Sequence, residues 1–208
     1  MKYKKYPRTP HLPWSEQVSS DDKRLSSDDI FVGKEVVVTE KMDGENTSMY
    51  SDYIHARSLD SGNHESRNWV KNFWGQIRYL IPDGCRVCGE NLFAKHSIFY
   101  NDLTGYFLGF SYWCSDECNS WDRTLQIFSD IGIEPVRCIY RGVYDLDRIH
   151  SAWDRLGHES EGYVIRLADG FSYDSFGKSV AKFVRKNHVQ TDEHWKNIRM
   201  IPNRLRRT

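Results

Sequence analysis

One lysine stands at the end of a short apolar run, directly before a polar turn, and this placement favours chemistry over solubility. The run Val36–Val38 leads through Glu40 to Lys41, and Asp43 and Gly44 follow. A lysine amine attacks phosphorus only when it is unprotonated, and an unperturbed lysine titrates near ~10.4. Burial or nearby cations lower that pKa. The pattern therefore suggests a nucleophilic lysine, and the alternative is an ordinary strand-end lysine before an Asp-Gly hairpin turn.

Further short motifs follow this lysine along the chain. They are Ala56-Arg57-Ser58, Cys88-Gly89-Glu90-Asn91-Leu92, Tyr106-Phe107-Leu108-Gly109-Phe110, Glu161-Gly162-Tyr163-Val164-Ile165-Arg166 and Val180-Ala181-Lys182-Phe183-Val184-Arg185-Lys186. Each motif alone is weak, but the ordered set resembles the covalent nucleotidyltransferase superfamily of ATP-dependent RNA ligases, DNA ligases and mRNA capping enzymes. Within that superfamily the chain looks most like the RNA ligases, over roughly residues 36 to 186.

The resemblance assigns roles to residues that would meet the phosphates. It implies that Lys41 attacks the α-phosphorus of ATP, which gives a lysyl-adenylate and releases pyrophosphate. The resemblance implies that the Asn46 side chain points toward the phosphate or the nucleic-acid end, and the alternative is that it stabilises a hairpin. It lets Arg57 contact a phosphate, with a surface arginine as the alternative. Glu40 is included among the nucleotide-binding residues.

The nucleoside is expected to be held by Glu90 and Phe110. The resemblance places the Glu90 carboxylate on the ribose hydroxyls, where a charged acceptor forms strong hydrogen bonds. It places the Phe110 ring against adenine, although an apolar strand residue could equally belong to the core. Ser111 stands where the family normally has Asp, so the hydrogen bond made by that Asp is left open.

The last two motifs imply a metal ligand and a cation. Glu161 matches the carboxylate that binds a divalent metal, Mg²⁺ or Mn²⁺, and Mg²⁺ prefers oxygen ligands and retained waters. Lys182 matches the lysine that contacts the α-phosphate and helps to lower the pKa of the nucleophile. Many relatives carry a second lysine two residues further on, where this chain has Val184. Arg185 is a nearby cation and is included among the nucleotide-binding candidates.

Strands with a few helices are needed to position these side chains. Residues 36–40, 47–51 and 53–58 are predicted to form consecutive antiparallel strands joined by Asp-Gly and Ser-Asp turns. Hydrophobic periodicity predicts helices at 66–80, 121–131 and 145–156, and further strands at 85–92, 106–113, 136–140, 163–167 and 180–184. The resulting fold class is α+β, a nucleotidyltransferase (ligase adenylation) domain of antiparallel sheets flanked by helices.

Composition fits a cytoplasmic enzyme with no membrane partner. The 208 residues carry 29 basic and 29 acidic side chains, and they show neither an apolar stretch of membrane-spanning length nor an apolar signal region. The cysteine count is odd, so ordinary thiols are expected in preference to disulfides. The weaker alternative is a zinc site built from Cys85, Cys88, Cys114 and Cys118.

The chain is expected to divide into an N-terminal extension (1–30), a nucleotidyltransferase domain (31–190) and a basic C-terminal tail (191–208). The extension would either pack across the domain or hold RNA. Only 22 residues follow Lys186, too few for the OB-type domain of DNA ligases and capping enzymes, so none is expected. Both ends are basic and are candidates for phosphate contact, with solvated tails as the alternative. These residues are Lys2, Lys4, Lys5, Arg8, Lys196, Arg199, Arg204, Arg206 and Arg207.

The implied function is ATP-dependent RNA ligation in RNA repair. Lys41 would be adenylated, AMP would pass to an RNA 5′-phosphate, and an RNA 3′-hydroxyl would displace AMP. An end-healing kinase or phosphatase is a candidate partner beside the RNA. Two alternatives stay open. One is a DNA ligase or GTP-using capping guanylyltransferase with the same lysine. The other is a non-catalytic nucleotide- or RNA-binding module, which is suggested by the departures from the family pattern at Val184 and Ser111.

Overall fold

A computed structural model describes residues 3–18, 22–157, 160–186 and 200–207. In this part of the chain β-strands form two sheets, and three α-helices pack against them. The helices are α1 (Asn68–Ile77), α2 (Trp121–Ile131) and α3 (Leu146–Leu156). The strands are β1 (Glu35–Lys41), β2 (Glu45–Met49), β3 (Ile54–Ala56), β4 (Cys85–Asn91), β5 (Phe107–Cys114), β6 (Glu117–Cys118), β7 (Glu134–Pro135), β8 (Cys138–Val143), β9 (Gly162–Leu167), β10 (Phe171–Ser172) and β11 (Val180–Val184). The predicted α+β class is confirmed.

The strand order places β1 and β2 in different sheets. The first sheet runs β11-β9-β1-β8, and the second runs β10-β6-β5-β4-β2-β3 with β7 parallel to β5. The predicted hairpin between β1 and β2 is therefore wrong, although β2 and β3 pair antiparallel as expected. A Cβ atom at Gly44 would lie 2.6 Å from the carbonyl oxygen of Asn91. The glycine thus permits a close approach to the end of β4 as the chain crosses between the sheets.

Burial on both faces explains the apolar run of β1. Val36 and Val38 pack into a core shared with Ile149 and Trp153 of α3. Val37 points the other way, into a cluster that includes Leu108 of β5. A strand covered on both faces reads as a continuous apolar run. This packing fixes β1 at the centre of the molecule and brings its polar end to the junction of the two sheets.

Local signals account for the helix ends. The hydroxyl of Ser120 accepts a hydrogen bond from the Arg123 backbone N–H, and Gly132 closes α2 with a φ of 72°. Asp145 caps α3 through the Arg148 backbone N–H. The predicted helix 66–80 is shorter than expected, because its ends form 3₁₀ turns at Glu65–Arg67 and Arg78–Leu80. The two-residue strands β6, β7 and β10 were not predicted.

A disulfide joins Cys85 and Cys114, so the expectation of thiols alone is wrong for this pair. The two residues face each other in the register of β4 and β5 but are separated by 29 positions in sequence. Of the other cysteines, Cys88 and Cys118 are buried thiols and Cys138 is an exposed one. The bridge removes two of the four ligands of the zinc alternative. Among the described residues no cluster of three or more His, Cys, Asp or Glu side chains is placed to hold a metal.

Part of the basic C-terminal segment packs on the domain. The Asn203 side chain donates to the Leu92 carbonyl oxygen and accepts from the Tyr100 backbone N–H, at 2.8 and 2.9 Å. Arg206 pairs with Asp102 at 2.8 Å. Lys2, Lys196 and Arg199 lie outside the described residues, and phosphate contact by either end stays a prediction. No helix in the described ranges is long and apolar enough to cross a membrane.

Candidate active site

A cavity of about 550 Å³ opens where the two sheets meet, and most of the predicted site residues line it. Strands β1, β2, β4, β5, β9 and β11 all contribute side chains to its wall. The predicted residues on the cavity wall are Glu40, Lys41, Asn46, Arg57, Glu90, Phe110 and Lys182. Residues more than a hundred positions apart in sequence thus meet at one place.

Glu161 contacts the candidate nucleophile directly. The Nζ atom of Lys41 lies 2.5 Å from the Oε2 atom of Glu161. The strand register explains the contact, since Lys41 is opposite Gly162 in the pairing of β1 with β9. A Cβ atom at Gly162 would collide with the carbonyl oxygen of Phe183, so β9 approaches β11 closely only because residue 162 is glycine. Glu161, which directly precedes β9, and Lys182 of β11 are in this way held by neighbouring strands.

The charge environment of Lys41 differs from the expectation. Burial acts to lower the pKa of Lys41, but the carboxylates of Glu161, Glu90 and Asp43 outweigh it and raise that pKa above the ordinary value. The expected lowering of the Lys41 pKa is therefore wrong for this arrangement. The sequence showed the lysine and the motif cation but not the three acids gathered around the amine. The ammonium form is favoured here, and attack requires that a proton first leave Nζ.

Glu90 and Asn46 face the cavity side by side, because they are opposite one another in the pairing of β2 with β4. Burial, reinforced by Glu161 and Asp43, raises the pKa of Glu90 to about 8, although Lys41 opposes the shift. The Oδ1 atom of Asn46 is buried and has no hydrogen-bond partner among the described residues. A buried polar group without a partner is costly. The Asn46 amide is thus available to a ligand in the cavity.

Asp43 has a structural role beyond the predicted turn. Its Oδ2 atom accepts hydrogen bonds from the backbone N–H groups of Ser97 and Ile98, at 2.7 and 2.8 Å. Its own N–H donates to the hydroxyl oxygen of Tyr100 at 2.9 Å. These bonds tie the loop after β4 to the segment that follows Lys41. The end of β1 is consequently fixed from both sides.

Lys182 reaches the cavity, but Arg185 does not. Val180 and Lys182 lie on the same face of β11 and both line the cavity. Arg185, three positions after Lys182, donates from Nε to the Ser160 carbonyl oxygen at 2.6 Å and lines a separate cavity of about 780 Å³. Side chains alternate along a strand, so an odd separation puts the two cations on opposite faces. Arg185 thus does not line the cavity that holds Lys41, and its inclusion among the nucleotide-binding residues stays a prediction.

The N-terminal segment forms a wall of the cavity, which sequence reasoning missed. Tyr6, Pro7 and Thr9 line it. The Tyr6 ring is edge-on to Phe110, with ring centroids 5.1 Å apart. The segment packs across the domain, one of the two predicted alternatives. The signal in the sequence was limited to an aromatic residue within an extended, proline-containing stretch.

Arg166 is a second missed residue. It is 4% exposed and lines the cavity, although it belongs to the motif that begins with Glu161. Its guanidinium donates to the Asn119 carbonyl oxygen at 2.8 Å and lies 5.2 Å from the centre of the Phe171 ring. A cation over an aromatic ring is a stabilising contact. Arg166 therefore anchors the aromatic side of the cavity.

A family model described as RNA ligase matches residues 34–184. This match covers most of the chain, and the protein belongs to the RNA ligase family. The resemblance drawn from the motifs is confirmed.

Solved structures share this fold. A lysine-to-alanine variant of the Naegleria gruberi RNA ligase, solved with ATP and Mn, has a TM-score of 0.53 and 14% identity over 90% of this chain and 62% of that one. The same ligase with PPi has a TM-score of 0.52 and 14% identity over 88% and 61%. The chain thus spans about 62% of the length of the first of these structures. No curated protein matched the sequence.

Proposed function

We propose that this protein is an ATP-dependent RNA ligase that joins RNA 3′-hydroxyl and 5′-phosphate ends. The supporting observation is that Lys41 and Lys182 line one cavity, and that Glu161 contacts Lys41, in a member of the RNA ligase family. A lysine for covalent catalysis, a carboxylate in contact with it and a second cation are the groups that nucleotidyl transfer needs.

ATP fits the polar and apolar halves of the cavity. Phe110, with Tyr6 behind it, offers an aromatic surface to adenine. Glu90 would contact the ribose, and Arg57 and Lys182, which also line the cavity, would contact the phosphates. Orientation of this kind lowers the barrier by positioning the reacting groups, and cations stabilise the charge that develops on the phosphate oxygens.

Lys41 then carries out the covalent step. A bond forms between Nζ and the α-phosphorus, and the bond from that phosphorus to the pyrophosphate oxygen breaks. Before attack, Nζ must lose a proton, and the Glu161 carboxylate lies within hydrogen-bond distance to accept it. In the second step the AMP group is transferred from Lys41 to the RNA 5′-phosphate. In the third step the RNA 3′-hydroxyl attacks that phosphate and displaces AMP.

A divalent metal is compatible with the residues present. The Glu161 carboxylate would hold it with oxygens of ATP and waters, and so would the Asn46 oxygen, which has no hydrogen-bond partner in the part of the chain that the structure describes. These ligands suit the oxygen preference of Mg²⁺ and Mn²⁺. When bound, such a cation would neutralise negative charge on the phosphate oxygens. The solved Naegleria ligase structure with ATP contains Mn.

We further propose that the protein acts in RNA repair in the cytoplasm. Its substrates would be broken RNAs with 3′-hydroxyl and 5′-phosphate ends. Breaks that carry other end groups would first require an end-healing kinase or phosphatase. A ligase that acts on RNA must recognise the 2′-hydroxyl somewhere, because that group distinguishes RNA from DNA.

Labelling followed by ligation tests the proposal. Protein incubated with α-labelled ATP and Mg²⁺ should become covalently labelled, whereas α-labelled GTP should give no label. Strands that end in two or so ribonucleotides should then be sealed far better than all-DNA strands, at one fixed salt concentration. Label from GTP would instead identify a capping enzyme, equal sealing of DNA ends a DNA ligase, and the absence of any label a binding module.

A further inference from the structure

Asp22, which lies outside the nucleotidyltransferase motifs, contacts the cation of the last motif. Its Oδ2 atom lies 3.1 Å from Nζ of Lys182 and 2.9 Å from Nε2 of His11. The side chains of Asp22 and Lys182 are each 16% exposed. The two residues are 160 positions apart in sequence. An acidic side chain of the N-terminal segment is thus bound to the lysine that lines the proposed ATP cavity.

His11 holds Asp22 through an ordered series of hydrogen bonds. A carboxylate only accepts, so Nε2 of His11 donates to Asp22. Burial lowers the pKa of His11, which favours the neutral ring. The other ring nitrogen, Nδ1, then accepts from the Ser15 hydroxyl at 2.7 Å, and that hydroxyl oxygen accepts from the Val184 backbone N–H at 3.0 Å. The series begins at Lys182 and returns to the same strand two residues later.

The backbone fixes the same segment to β11. The Lys182 N–H donates to the Pro10 carbonyl oxygen at 2.9 Å, and the Leu12 N–H donates to the Lys182 carbonyl oxygen at 2.8 Å. Residue Glu16 likewise donates its N–H to the Val184 carbonyl oxygen at 3.0 Å. Val184 itself is 3% exposed. A lysine at position 184 would have to be buried beneath this segment, so Lys182 is the cation that β11 supplies to the cavity.

We propose that Asp22 is a positioning residue that holds the Lys182 ammonium in the direction of the phosphate attacked by Lys41. The inference rests on the proposed function. A lysine ammonium has three donors on a flexible four-carbon stem. One donor bound to Asp22 fixes the direction of the stem and leaves two donors for phosphate oxygens. A fixed cation avoids the loss of rate that misplacement by about 1 Å can cause, of order 100-fold.

Single-turnover adenylylation of Asp22→Asn tests this role, because the rate constant does not depend on the fraction of folded protein. The variant keeps the shape of the side chain but loses its charge. We expect a loss of about 10- to 100-fold in the rate constant at saturating ATP, with the half-saturating ATP concentration changed by less than about threefold. Asp29→Asn is the matched control, since Asp29 belongs to the same segment, is exposed, and its side chain accepts a hydrogen bond only from Ser27 among the contacts described for it.

A double-mutant cycle distinguishes positioning from a general structural effect. If Asp22 acts through Lys182, adding Asp22→Asn to Lys182→Met should change the rate by less than about twofold. The proposal would be overturned if Asp22→Asn were adenylylated at the wild-type rate. It would also be overturned if Asp22→Asn lowered the rate of Lys182→Met by the same factor by which it lowers the rate of the wild-type protein. If Asp22→Asn does not fold, Asp22→Glu replaces it as the test. Displacing the carboxylate should lower the adenylylation rate constant about three- to tenfold, and an unchanged rate constant would overturn the proposal. Failure of the proposed function is distinguishable, because the wild-type protein itself would then not be adenylylated.

Discussion

The Nζ atom of Lys41 and the Oε2 atom of Glu161 form an ion pair at 2.5 Å, although the two residues are 120 positions apart. Both side chains are mostly buried, with 23% and 10% of their surface exposed. The candidate nucleophile is held in its protonated form, because the surrounding acidic side chains raise the pKa of Lys41. Glu161 is therefore placed both to hold the amine and to accept a proton from it.

Glu161→Gln is expected to lower the rate of adenylylation by roughly 100-fold or more. The amide keeps the shape of the side chain but loses the charge that a divalent cation and a proton both require. Glu161→Ala should lose at least as much, and EDTA should abolish adenylylation of the wild-type protein. Covalent labelling with α-labelled ATP measures each effect. Glu117→Gln, an exposed change on β6, is the control, and full activity in EDTA would contradict the metal requirement.

Glu90 is expected to make folding stability depend on pH. Its folded-state pKa is about 8, above the ordinary glutamate value of 4.5. The folded protein therefore binds a proton more tightly than the unfolded chain. The contribution of Glu90 to stability is fully present below about pH 4.5, falls as the pH rises, and is lost above about pH 8.

Urea denaturation of Glu90→Gln between pH 5 and pH 8 measures this contribution. The variant cannot ionise at this position, so its free energy of unfolding should fall less with rising pH than that of the wild-type protein. The change should be stabilising at pH 8, while adenylylation should still be impaired because the ribose loses its carboxyl partner. Parallel pH dependences of the two proteins would show that Glu90 is not held protonated.

The disulfide between Cys85 and Cys114 is expected to stabilise the second sheet. Loop-closure entropy predicts roughly 3–4 kcal/mol for a bridge across 29 residues. Replacing both cysteines by serine should lower Tm by roughly 6–16 °C for a chain of this size and leave the adenylylation rate unchanged at 25 °C. Cys138→Ser, which changes an exposed thiol, is the control. Alkylation of five thiols in the unfolded, unreduced protein would contradict the bridge.

Much of the site could be predicted because each motif is local to a strand end. Lys41 and Glu161 follow directly from their sequence neighbours, and Glu90 and Lys182 take their directions from strand alternation. Because Arg185 is three positions after Lys182, the same alternation places its side chain on the face of β11 away from the cavity. The α+β class needed only the periodicity of the segments.

Other features depend on contacts that sequence spacing does not reveal. The Asp-Gly pair after Lys41 is typical of a hairpin turn, but tertiary packing uses it to cross between the sheets, with Gly44 against β4. The raised pKa of Lys41 arises from acids on three separate segments. Asp22 reaches Lys182 only because the N-terminal segment pairs with β11. Each of these outcomes required the fold first.

Mass spectrometric mapping of the adenylyl group tests the central claim most directly. The wild-type protein, incubated with ATP and Mg²⁺ and digested, should carry one AMP on the peptide that contains Lys41, through an acid-labile bond to nitrogen. Lys41→Ala should carry none while it keeps the melting temperature of the wild-type protein within a few degrees. Lys41→Arg should also carry none, because a guanidinium is effectively always protonated. An AMP group on another residue, or persistent adenylylation of Lys41→Ala, would contradict the assignment of Lys41 as the nucleophile.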